Sequence, residues 1–217
     1  MRACVLVVLA LGASVSGLCF AKEAEMLPDA VKASKPFSPD GVVKQRSIGG
    51  LYKTYVSNVE YGRYKGLNYS IDYAYGNLNL PDNPDVSPEK YTPFSEGWYG
   101  SCSKDKMNDS VTCYAGKSDF SIWYSKRSGY KVDVGSDHFP GRNSFVRVGS
   151  GKPRSTSDEG SFGASASKAI LKDMLAADSL ALRYVKWPYD VNIDKTVSTT
   201  GVSFVMEYLK WAVDNYR

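Results

Sequence analysis

GWYGSCSKDKMNDSVTCYAGKSDFSIWYSKRSGYKVDV, residues 97–134, decides the fold. Short runs rich in aromatic and β-branched residues recur here, separated by Gly, Asp, Asn and Ser. That punctuation is the mark of an antiparallel meander. The expected strands are about 97–102, 110–116, 119–125 and 130–134, with a further one at 143–148. Cys102 and Cys113 sit on the first two, either side of the polar turn segment Lys104 to Asp109. In an exported chain such a pair reads as a disulfide that staples a hairpin, contributing roughly 2–3 kcal/mol by the chain-entropy model. The spacing is far from the Cys-x-x-Cys of a redox pair.

Toward the C-terminus the period changes. Ala166, Ile170, Leu171, Met174 and Leu175 fall on one helical face, with Ser165 or Ser167 as candidate N-cap. Leu180 to Lys186 reads as a strand stopped at Trp187-Pro188. Val202, Val205, Met206, Leu209, Ala212 and Val213 form a second amphipathic stripe, capped by Thr199 or Thr200 and opened by Gly201. The order is strands, helix, strand, helix. The fold class is therefore α+β: an antiparallel meander sheet with two C-terminal amphipathic helices packed on it, in one domain spanning residues 51–217.

Toward the N-terminus, Leu67, Tyr69, Ile71, Tyr73 and Tyr75 alternate with polar residues or Ala74, the period of a half-buried strand. Residues 51–61 are its expected hairpin partner. Residues 80–95 hold four prolines and read as a loop, and residues 22–50 as an extended or partly disordered arm. Residues 1–21 have the form of a cleavable signal: Arg2, the apolar run Val5 to Ala13, then Cys19-Phe20-Ala21 before Lys22. The run is shorter than the about 20 residues that span a bilayer, so the mature form is expected to have no transmembrane helix. A lipid anchor on Cys19 is disfavoured by Leu18, since a small residue is wanted there. These features place the protein in the periplasm or outside a bacterial cell.

Composition narrows the function. A net charge of +4, spread along 217 residues, is too dilute for a nucleic-acid partner. One histidine excludes sites that need several imidazoles, including most catalytic zinc sites. The 16 tyrosines suit strands, with the ring on the sheet and the hydroxyl reaching water.

Four clusters are candidates for chemistry. Asp133, Asp137, His138 and Arg142 gather in KVDVGSDHFPGR, where His138 beside Asp137 has the form of an oriented base; no serine sits in Gly-x-Ser-x-Gly to act as its nucleophile. Asp105, Asn108 and Asp109 are oxygen-rich but lack the EF-hand spacing, so they read as Asx turns rather than a metal site. Tyr61, Tyr64, Tyr69, Tyr73 and Tyr75, with Arg63 and Lys65, form either an aromatic-cationic binding face or core packing. Arg183, Tyr184, Trp187 and Tyr189 form a second aromatic cluster, in which Arg183 could stack on Trp187. No cofactor is expected.

The C-terminal half, residues 97–216, resembles the invasion-associated locus B family of exported bacterial proteins. The resemblance rests on Trp98 four residues before Cys102, on Cys113 a hairpin later, and on a helix after Phe162-Gly163-Ala164-Ser165-Ala166. A further strand and a terminal helix opening at Gly201 follow. That family usually carries a second cysteine pair before its first helix, which this chain lacks. The resemblance implies a non-enzymatic envelope or surface protein. The expected function is thus a binding module for an unknown protein or envelope ligand. The alternatives are a periplasmic hydrolase centred on Asp137 and His138, and an inhibitor of an exogenous cell-wall-degrading enzyme.

Overall fold

The computed structural model describes residues 36–49, 54–73, 76–87, 97–156 and 159–216. The signal at 1–21, Cys19 and most of the expected arm lie outside the described residues.

Eight strands follow one another as an antiparallel meander: β1 (Val42–Gly49), β2 (Thr54–Tyr64), β3 (Leu67–Asp72), β4 (Asn77–Pro81), β5 (Gly97–Lys104), β6 (Val111–Lys117), β7 (Phe120–Ser125) and β8 (Gly129–Val134). A second antiparallel sheet has the order β10-β9-β11-β12, from β9 (Phe145–Val148), β10 (Arg154–Ser155), β11 (Ser179–Lys186) and β12 (Val191–Ser198). Helix α1 (Ala164–Met174) packs on β8 and β9, and helix α2 (Val202–Asn215) packs across β5, β6 and β7. The α+β class and the meander hold.

Register explains where α2 lies. Glu60, Ile71, Leu78, Gly100, Ala115, Ile122 and Val132 are in-register neighbours across seven strands. The two smallest residues, Gly100 and Ala115, sit in the middle of that row. They leave a trough, and Tyr208 of α2 fills it: a Cβ on Gly100 would stand 3.2 Å from the Tyr208 ring. Phe204, Val205, Leu209, Ala212 and Val213 bury the rest of the helix face. The sheet curls around the helix. Tyr64 of β2 donates to Glu207 at 2.9 Å, while Tyr130 of β8 donates to the Met206 carbonyl at 2.6 Å. Cys102 and Cys113 stand directly opposite each other on β5 and β6 and are joined by a disulfide.

Several expectations are refined. Residues 42–49, assigned to the arm, pair along their length with β2 as β1. Leu78 and Leu80 form β4 in a stretch flanked by proline, paired on both sides. The strand expected at 180–186 does stop at Trp187-Pro188, but the turn there leads on to an unexpected strand, β12, whose residues are too polar to announce it. Neither helix has a side-chain cap: Gly163 and Gly201 occupy the N-cap positions. Ser167 is used elsewhere, accepting the Val132 N–H at 3.0 Å and donating to the Phe162 carbonyl at 3.0 Å. With Val134 N–H bonded to Gly160 O and Phe162 N–H to Val132 O, this covers the edge of β8. Gly201 has φ +82°, and a Cβ there would lie 2.7 Å from Leu80, so only glycine opens α2 at this angle.

Candidate binding surface

The tyrosines of the first aromatic cluster that the structure describes do not form one face, and Tyr75 lies outside the described residues. Tyr69 and Tyr73 are 0 % and 4 % exposed and donate to the buried carboxylate of Glu60. Glu60 also accepts the Phe37 N–H at 2.6 Å and the Ser38 N–H at 3.0 Å. Four donors on one carboxylate satisfy its buried lone pairs, as a buried charge requires. They also tie residues 37–38 over α2, where the Phe37 ring lies 5.2 Å from Phe204 and 5.4 Å from Trp211. Burial first, then the bond to Glu60, raises the ionisation of both tyrosine hydroxyls above the usual range. Tyr69 and Tyr73 are corrected here from binding candidates to core.

The acid–base cluster is dispersed. Asp137 has φ +50°, and its carboxylate faces Lys186 Nζ at 3.9 Å. His138 Nδ1 stands 3.5 Å from Ser144 Oγ, but Ser144 is fully buried. On the ring's other side, a Cβ on Gly160 would meet Nε2 at 2.3 Å, so backbone is packed against that nitrogen. Asp133 pairs with Ser161 in a β-bridge, and Arg142 with Asp190 at 2.8 Å. His138 also meets the Tyr184 ring edge-on at 5.7 Å. Tyr184 donates to Asp119 at 3.0 Å; burial and that bond push its hydroxyl up to about 12. The oxygen-rich turn is closed on itself: Asp105 accepts the Met107 N–H, Asn108 the Ser110 N–H, and Asp109 pairs with Lys104. Among the described residues no group of three or more His, Cys, Asp and Glu side chains is placed to hold a metal ion.

The second aromatic cluster is at the surface. Strand alternation turns Val146, Val148, Leu180, Leu182, Tyr184 and Val197 of the small sheet inward, where all are buried. Phe145, Arg147, Arg183, Asp194 and Thr196 face out. The turn 187–190 carries Trp187 and Tyr189, 53 % and 80 % exposed. It is backed by the 137–142 loop through Trp187 N–H to Asp137 O, Phe139 N–H to Val185 O, and the Phe139 ring 5.4 Å from Trp187. Arg183 does not stack on Trp187. Four residues along a strand separate them by about 13 Å, and Arg183 instead binds Asp194 through two bonds of 2.6 and 2.7 Å. Those bonds hold the Asp194 carboxyl below its ordinary value. Sequence reasoning missed Phe145 and Arg147, which join the site only through the pairing of β9 with β11. The one signal for them was the polar alternation of the 143–148 strand.

No helix among the described residues is long and apolar enough to cross a membrane. No family model, curated protein or solved structure matches the chain.

Proposed function

We propose that this protein is an exported, non-enzymatic binding module of a bacterial envelope, and that its contact surface is the outer face of the small sheet with the 187–190 turn. One observation carries the reading. The three exposed aromatic side chains among the described residues, Phe145, Trp187 and Tyr189, all lie on this one sheet and its turn. Val191 is exposed beside them. Aromatic and arginine side chains gathered on a firm scaffold are what protein and ligand contacts use. Export is supported by the N-terminal signal pattern and agrees with the Cys102–Cys113 disulfide. The resemblance to the invasion-associated locus B family belongs to the same proposal and rests on Trp98, the cysteine pair and the helix order. The hydrolase reading draws little from geometry, because Ser144, the hydroxyl near His138, is closed to solvent.

The test is photocrosslinking in the producing cell. A benzophenone side chain in place of Tyr189 is expected to give a discrete adduct, and one in place of Met107, 93 % exposed on another hairpin, none. Equal labelling from both positions, or a hydrolytic turnover abolished by His138→Ala, would overturn the proposal.

A further inference from the structure

The small sheet carries two in-register rows on its outer face. One is Phe145, Arg183 and Asp194; the other is Arg147, Ala181 and Thr196. Ala181 is the smallest of the six and sits on the central strand between larger neighbours. The result is a shallow depression of about 610 Å³, bounded by these residues and Pro153. Its cations are not equivalent. Arg183 is held by Asp194. Lys195 turns to Asp119 at 2.5 Å. Arg147 has no ion-pair partner among the described residues.

We infer that this depression binds an acidic sugar unit of a carboxylate-bearing glycan; the inference rests on the reading of this face as the contact surface. The free guanidinium fork of Arg147 matches a carboxylate bidentately. Asp194 accepts from sugar hydroxyls, and the Thr196 hydroxyl both donates and accepts. Phe145, 41 % exposed, offers a flat apolar wall to the ring face of a sugar. An acidic peptide fits less well. Seated in the depression over β11 it would find no free strand backbone, because β11 is paired on both sides, whereas a sugar needs only the side chains that line it.

The disulfide-bonded chain is titrated calorimetrically at low salt with tetragalacturonate, neutral cellotetraose and tetraglutamate. Binding is expected for the uronide alone, weakened by salt. Arg147→Ala and Phe145→Ala each lower its affinity by at least about tenfold, and Arg147→Lys by less, because it keeps the charge and loses the fork. Unchanged thermal transitions exclude a folding defect. Uronide binding unaffected by Arg147→Ala, equal or better binding of tetraglutamate, or no uronide binding at all would overturn the inference. If Tyr189-position crosslinks persist in those cases, the contact surface stands and only the ligand class falls. If they vanish, both fall.

Discussion

In the large sheet Tyr69, Tyr73 and Trp98 point into the trough around α2, and each polar tip meets a partner: Glu60 for the tyrosines, and the Thr200 carbonyl at 2.7 Å for the indole. In the small sheet Phe145, Trp187 and Tyr189 point away from the core, while aliphatic residues and Tyr184 fill its inner face. The same residue types thus have opposite tasks. The difference follows from what lies over each face. The large sheet has a helix to wrap, so its inward aromatics bury area and must satisfy their hydroxyls. No described residue covers the outer face of the small sheet, so aromatics there add little to stability and remain available for contact.

This contrast can be broken in four ways. The largest effect is expected from alkali. Burial, the first cause in each case, raises the hydroxyls of Tyr69, Tyr73, Tyr130, Tyr184 and Tyr208 above 10.0, with Tyr130 and Tyr184 at about 12. The folded state therefore holds protons that the unfolded chain releases, so stability complete below pH 10 falls as pH rises toward 12. Circular dichroism should show cooperative unfolding in that window; a flat signal to pH 12 would contradict the buried-tyrosine account.

Trp98→Ala comes next. It removes a side chain with 0 % exposure and its bond to Thr200, for about 3–5 kcal/mol by chemical denaturation. A loss below 1 kcal/mol, on the order of a surface change, would mean that α2 does not need the indole.

Glu60→Gln is smaller. The amide keeps one accepting oxygen and replaces the other by a donor, facing the Tyr73 hydroxyl and the Phe37 N–H or the Tyr69 hydroxyl and the Ser38 N–H. About 2 kcal/mol should be lost, with residues 37–41 becoming open to protease. Resistance equal to that of the parent would show that this carboxylate does not hold the segment.

The smallest effect belongs to the small sheet. Trp187→Ala and Tyr189→Ala should each change stability by less than about 1 kcal/mol, and Trp187→Ala should weaken the adduct formed from a benzophenone at position 189. A large loss of stability would turn these rings into structural groups and erase the contrast.

Much of the fold was legible locally. Alternation at 67–73 and 97–134, the cysteine pair, and the two 3.6-period stripes each follow from neighbours in the chain, so period and chemistry identified them. β4 and β12 were not legible, because pairing on one or both sides sustains strands whose own residues are proline-flanked or polar. The second helix opens at Gly201 as expected, but the side-chain caps were misread, for the first helix for a related reason: Ser167 answers to the edge of β8, a partner 35 residues away.

For the site, the order of residues alone determined that aromatics and arginine cluster at 183–189, and composition that a lone histidine cannot build a multi-imidazole centre. Only the tertiary structure decided which aromatics are core and which are surface. Alternation says that successive side chains take opposite faces, but not which face a helix will cover. It also could not bring Arg147 beside Ala181, because that neighbourhood exists only through pairing between strands more than 30 residues apart.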